Sequence, residues 1–155
     1  MEEIMAVLVV CGVVVVLLAI AYVDLKTEEI PYRLNLMLLA WGLAAAFIFE
    51  GPGWRERLLG ALCISLPMML MNVIIRDSFG GGDILMCASG GVLLGWQGIM
   101  TAACIGFTGG GIMAVFLLAA KKRTLREHFA LGPFLAAGMI TALLFQCGGS
   151  THFLR

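Results

Sequence analysis

The sequence predicts an all-α membrane protein, a polytopic bundle of about six transmembrane helices in one domain covering residues 1–155. Three observations predict it. Hydrophobic residues make up 61% of the chain and charged residues only 13%, where a soluble domain is roughly half apolar and about a quarter charged. The mean hydropathy is +1.02. The apolar residues are gathered into runs close to the about 20 residues that a spanning helix needs. A water-soluble globule is thereby excluded, and so is a disordered chain, which stays unfolded because it is poor in apolar residues.

The first run, Ile4–Val23, follows Glu2 and Glu3 rather than a basic stretch. It is as long as a full span, so it reads as a retained helix and not as a cleaved signal. The second and third spans are Leu34–Phe49 and Leu58–Ile75. The next run, Ile84–Ala120, is too long for one crossing. Its best break is Gly95-Trp96-Gln97-Gly98, which makes a short fourth span and a fifth. Five spans with a re-entrant segment is the alternative. The last span is Phe129–Gln146.

Charge orients this bundle. The loops after the first, third and fifth spans share one face and carry Lys26, Arg33, Arg76, Lys121, Lys122, Arg123 and Arg126. The other face has Arg55, Arg57 and Arg155, with Glu2, Glu3, Glu50 and Glu56. The basic excess puts the first set of loops in the cytoplasm and both termini outside. Over the whole chain 10 Lys+Arg balance 10 Asp+Glu, so no net field points to nucleic acid. The cluster Lys121-Lys122-Arg123 fixes topology or touches anionic lipid headgroups. The 5 cysteines, Cys11, Cys63, Cys87, Cys104 and Cys147, form no C-x-x-C pair, which argues against a zinc site and for small buried thiols. His128 and His152 are isolated, so no metal is expected. Gly91-x-x-x-Gly95 and Gly106-x-x-x-Gly110 are patterns for close helix approach, read here as packing within the chain.

The candidate chemistry lies with two acids at span ends. Asp24 directly follows the first apolar run and Asp83 directly precedes the fourth. A carboxylate near hydrocarbon is costly and usually faces a bundle interior or a wet cavity. The predicted topology puts both on the cytoplasmic side at similar depth, where they can meet. Two carboxylates held close cannot both ionise easily, so such a pair keeps one proton. That supplies a base to activate water and an acid to protonate a peptide carbonyl. The plainer reading makes each a solvated boundary or helix-cap residue. Gly80, Gly81 and Gly82, just before Asp83, let a backbone come close to its carboxylate. Asp77 is a further acid in that loop.

The residues around these acids resemble a known family. Gly80-Gly81-Gly82-Asp83 is similar to the G-x-G-D motif of membrane-embedded aspartyl proteases, and its continuation to Gly90 resembles the bacterial type IV prepilin peptidase form. So does the first site, Asp24 followed by Ile30-Pro31. A third match, Gly132-Pro133-Phe134-Leu135-Ala136-Ala137-Gly138, lies at the start of the last span. Two departures stand out: Leu85 where the family commonly has Lys, and Tyr32 where it often has Asn.

The resemblance implies a metal-free and cofactor-free aspartyl endopeptidase with Asp24 and Asp83 as catalytic residues, and Gly80, Gly82, Gly132 and Pro133 in support. Its substrates would be prepilin or pseudopilin proteins, cut after a Gly that follows a short basic leader, at the cytoplasmic face of the bacterial inner membrane. Glu28 and Glu29 are candidates for attracting that leader, with screened loop charges as the plainer reading. Larger family members carry two C-x-x-C pairs associated with methyl transfer. This sequence has no such pair, so methyltransferase activity is not expected. Two other classes stay open at this stage: a small proton-coupled transporter, which would need charge near span centres, and a non-catalytic subunit of a pilus or secretion assembly.

Overall fold

The computed structural model of the chain describes residues 2–48, 51–75, 79–120 and 130–149. Every element there is an α-helix: α1 (Glu2–Thr27), α2 (Tyr32–Ile48), α3 (Trp54–Cys63), α4 (Ser65–Ile74), α5 (Gly81–Ala119) and α6 (Gly132–Gly149). Glu50, Arg76, Asp77, Lys121, Lys122, Arg123, Arg126, His128, His152 and Arg155 lie outside the described residues, as do the side chains of Glu2, Glu3 and Cys147. Among the described residues, Val7–Thr27, Trp54–Ile74 and Gly81–Ala119 are long and apolar enough to cross a membrane, and Tyr32–Ile48 and Gly132–Gln146 are shorter apolar helices. The chain is an integral membrane protein of helical bundle type.

The third expected span is built from two helices. It breaks at Ile64, with φ −103° and ψ −43°, and the cause is Pro67. A proline ring has no N–H and presses on the carbonyl four residues earlier, here that of Cys63, where α3 ends.

The long run divides where the sequence suggests. Gly95, at φ 70° and ψ 178°, occupies a backbone region open essentially to glycine alone. Its neighbours show that α5 turns back on itself there. A side-chain carbon on Gly90 would stand 2.7 Å from Met139 and 3.2 Å from Ile99, whereas nine residues along a straight helix are separated by about 13 Å. Along α6, Gly90 meets Met139 and Leu94 meets Gln146, but Gly98 also meets Gln146 and Gly106 meets Leu135. The arm 81–94 therefore runs parallel to α6 and the arm 96–119 antiparallel to it. Among the described residues six helical passes result, and the first arm is about 20 Å long, short of the about 30 Å hydrocarbon layer.

The turn leaves carbonyls at the end of the first arm without helical partners, and side chains supply them. Arg57 is 3% exposed. Its guanidinium donates to the carbonyls of Val92 (2.7 Å), Leu93 (3.2 Å) and Pro52 (2.9 Å). Gln146 Nε2 donates to Leu94 O at 2.8 Å. Arg57 is thus not a loop charge, as the topology argument assumed, but an interior cap.

Packing follows the rules for lipid, where helices gain little from hydrophobic exclusion and depend on close fit. Leu17, Ile20, Leu38, Met86, Ile99, Leu135 and Met139 form a fully buried centre. Backbones touch where α3 crosses α5: a carbon added to Gly91 would fall 2.2 Å from the Gly60 carbonyl. Gly106 packs on Leu135, so both small-residue patterns serve packing within the chain. The thiols depart from expectation. Among the described thiols only Cys87 is buried, Cys63 is half-buried, and Cys11 and Cys104 face outward.

Two substitutions test this frame. Arg57→Leu strands two carbonyls inside the bundle and is expected to destabilise it by on the order of 3 kcal/mol. Gly95→Ala forces a side chain onto a positive-φ residue, 2.8 Å from Pro52, and is expected to lower stability by about 1–3 kcal/mol. Unfolding of the purified protein in detergent checks both, and unchanged stability of Arg57→Leu would refute the capping role.

Candidate active site

The site is assembled at one end of the bundle from the finish of α1 and the starts of α2, α5 and α6. α1 stops because Glu28 takes a left-handed conformation, φ 54°, uncommon outside glycine and typical of a helix end. Its N–H returns to the Asp24 carbonyl at 2.8 Å. The Thr27 hydroxyl lies 2.9 Å from the carbonyls of Val23 and Glu29 and tightens the same turn. Asp24 therefore stands in the last turn of α1, facing inward, with 4% of its surface exposed.

α6 meets it there. Gly132 opens that helix, so its N–H has no carbonyl to serve within the helix. It donates instead to Asp24 Oδ2 at 2.9 Å. A helix N-terminus favours a carboxylate by its dipole as well as by this bond. Glycine leaves room for the carboxylate, because a side-chain carbon would lie 2.7 Å from Asp24 Oδ2. Pro133 follows in the first turn, where a missing N–H is harmless, and it is not among the residues lining the cavity described below.

Asp83 arrives from the other direction. It sits in the first turn of α5, whose capping residue Gly80 is extended at φ −62° and ψ 137°. The Asp83 N–H donates to Gly80 O at 3.1 Å. Asp83 Oδ1 is buried and has no hydrogen-bond partner among the described residues. Gly82 lies against the Ile30 backbone, where an added carbon would come within 2.6 Å of Ile30 Cβ and 3.0 Å of its carbonyl oxygen. The Ile30-Pro31 turn and the glycine run thus interlock.

The result is a cavity of about 500 Å³ lined by Asp24, Thr27, Glu28, Glu29, Ile30, Gly80, Gly81, Gly82 and Asp83. The two aspartates are close enough for their charges to interact. Of the residues singled out from the sequence, Asp24, Asp83, Gly80, Gly81, Gly82, Glu28 and Glu29 share this cavity, and Gly132 touches Asp24.

Sequence reasoning passed over two polar residues, Asn35 and Asn72, and put a third, Arg57, in a loop. Asn35, 2% exposed, donates from Nδ2 to Gly82 O at 2.9 Å, and its main-chain carbonyl accepts from Ser89 Oγ at 3.2 Å. Asn72 pairs with both backbone groups of Phe79. Arg57 caps the far end. For the two asparagines the available signal was an amide isolated in an apolar run, which seeks an interhelical partner. Nothing in the sequence names that partner.

Comparison with known proteins follows the same lines. The model of the type IV leader peptidase family matches residues 11–115. Similar relatives are prepilin leader peptidase/N-methyltransferases. That of Burkholderia pseudomallei is 29% identical over 86% of this chain and 45% of the relative. That of Bacillus subtilis is 28% identical over 83% and 52%. That of Pectobacterium carotovorum subsp. carotovorum is 25% identical over 84% and 48%. The chain spans about half the length of the curated relatives it matches. No solved structure matches it. The family match takes in both aspartates, the Ile-Pro turn and the glycine run that the fold brings together, and the chain belongs to the type IV leader peptidase family.

Proposed function

We propose that this protein is a membrane aspartyl endopeptidase that removes the short basic leader of type IV prepilin-like proteins. The observation that carries the reading is that Asp24 and Asp83, far apart in sequence and both at helix ends, line one cavity. The family match and the names of the relatives support peptide cleavage as the chemistry.

In this mechanism the two carboxylates share one proton. The ionised carboxylate takes a proton from water as the water oxygen bonds to the scissile carbonyl carbon. The protonated one gives its proton to the carbonyl oxygen. The C–N bond then breaks as the amide nitrogen takes up a proton, releasing a leader with a carboxyl end and a protein with a new amine end. No covalent intermediate and no metal enter the sequence of steps. Gly132 holds Asp24 in place through its N–H, and Gly80 and Gly82 leave room for the substrate backbone. Glu28 and Glu29, on the cavity wall, attract the basic leader. Methyl transfer is not part of this activity.

The excess of basic residues in the loops after the first, third and fifth spans supports a site at the cytoplasmic face of the inner membrane. A prepilin or pseudopilin, with its basic leader, Gly and apolar helix, meets it there from within the same bilayer. Lipids surround the bundle, and nucleic acid has no place in the reaction.

Three outcomes are expected, each read as the size shift of a co-expressed prepilin on a gel. Asp24→Asn and Asp83→Asn each lower cleavage by more than about a hundredfold while the variant accumulates as wild type; normal cleavage by either defeats the dyad. Gly132→Val drives its side chain into the Asp24 carboxylate and lowers cleavage by roughly ten- to a hundredfold, with Gly132→Ala less affected. A metal chelator added to wild-type membranes leaves cleavage unchanged, and inhibition reversed by added metal would overturn the metal-free mechanism.

A further inference from the structure

Asp83 is only as well placed as the backbone that carries it, and that backbone begins with three consecutive glycines. Glycine loses more conformational freedom on ordering than any other residue, so the segment needs external restraint. Two asparagines from different helices meet it at its two ends.

On one side stands Asn72, near the end of α4. Its Nδ2 donates to Phe79 O at 2.8 Å and its Oδ1 accepts from Phe79 N–H at 2.7 Å. A single amide thereby fixes both backbone groups of the residue that precedes Gly80. The Phe79 ring also packs near that of Phe107, 6.3 Å between centroids. On the other side stands Asn35 of α2, whose amide holds Gly82 O at 2.9 Å. The α2 backbone at Asn35 is tied to α5 as well, since Ser89 Oγ donates to the Asn35 main-chain carbonyl, and Ser89 lies on the same helix as Asp83. Between the two amides, Gly80 and Gly81 are exposed and line the cavity.

We propose that Asn72 and Asn35 are positioning residues that clamp the glycine segment 79–82 at its two ends, delivering Asp83 to Asp24 in a fixed geometry while the backbone of Gly80 and Gly81 stays open to the cavity. The inference rests on the reading of Asp24 and Asp83 as the catalytic pair. Neither asparagine touches the cavity, so each acts through the backbone it holds. A merely structural role, in which the amides only satisfy buried polar groups, predicts lost stability without a particular effect on Asp83.

The test uses the full-length protein in detergent, with Asn35→Leu, Asn72→Leu, the double variant, and Gln146→Leu as a control. Gln146 caps a carbonyl at the opposite end of the bundle, so it reports the cost of losing a partly buried amide far from the site. Amide hydrogen exchange is followed over residues 79–84, and leader cleavage is measured per folded molecule across pH. Each asparagine variant is expected to exchange at least about tenfold faster over 80–83, while Gln146→Leu leaves that segment as in wild type. Their kcat is expected to fall by about ten- to a hundredfold with KM within about threefold, because a misplaced acid harms the reacting geometry more than binding. The pH profile is expected to change in shape, since the separation of the two carboxylates sets their coupling. The double variant is expected to lose little more than the worse single one, since both amides hold one segment. Where a leucine variant does not accumulate, Asn35→Ser and Asn72→Ser, too short to reach the backbone, are expected to give the same pattern. Unchanged exchange over 80–83 overturns the clamp. Faster exchange with wild-type kcat and pH profile overturns its role in positioning, as does an equal loss of kcat in Gln146→Leu. If wild type itself cuts no leader, the peptidase reading fails, and the exchange comparison still decides the clamp.

Discussion

Inside a bilayer a backbone carbonyl or amide has no water to fall back on, so each departure from helix needs a partner supplied by the protein. This chain departs from helix repeatedly, and the polar side chains of its interior are spent largely on those places. Arg57 and Gln146 cap the first arm of α5 where Gly95 reverses it. Asn72 and Asn35 hold the glycine segment before Asp83. Asp24 accepts the N–H that opens α6. A bundle this apolar has few polar groups to spare, and their positions mark where the helices stop.

The same constraint builds the cavity. Helix ends are where backbone donors are left over and where carboxylates are tolerated. Bringing the end of α1 together with the starts of α2, α5 and α6 collects such ends in one place. Asp24 is the acceptor that a leftover donor requires, and Asp83 sits in a first turn where negative charge is favoured. The arm that carries Asp83 is short because it starts at the site and turns at Gly95. Both aspartates therefore face the interior of the bundle and not the surrounding lipid.

Much of this was legible in the residues. The Gly95–Gly98 break was visible because no single crossing accommodates so long an apolar run and because glycine is what a reversal needs. The pairing of Asp24 with Asp83 was visible from topology, since an even number of passes between them returns the chain to the same face. Arg57 was misread, because a charged residue beside an apolar run looks the same whether it sits in a loop or turns inward. The outward-facing Cys11 and Cys104 were misread for a related reason: in a membrane helix the lipid-facing side is as apolar as the buried one, so composition alone does not say which face a thiol occupies.

The sequence by itself determined the class of protein, the acids that could share a face and the family to which the chain belongs. These follow from composition, run length and local motifs, which are properties of neighbouring residues. Only the tertiary structure decided what lies against what: Gly132 behind Asp24, Ile30 against Gly82, Asn35 and Asn72 on the glycine segment, and Arg57 on the far turn. Those contacts join residues distant along the chain, and they depend on helix rotation and close approach. A sequence made almost uniformly apolar by the membrane carries little periodicity from which rotation can be read.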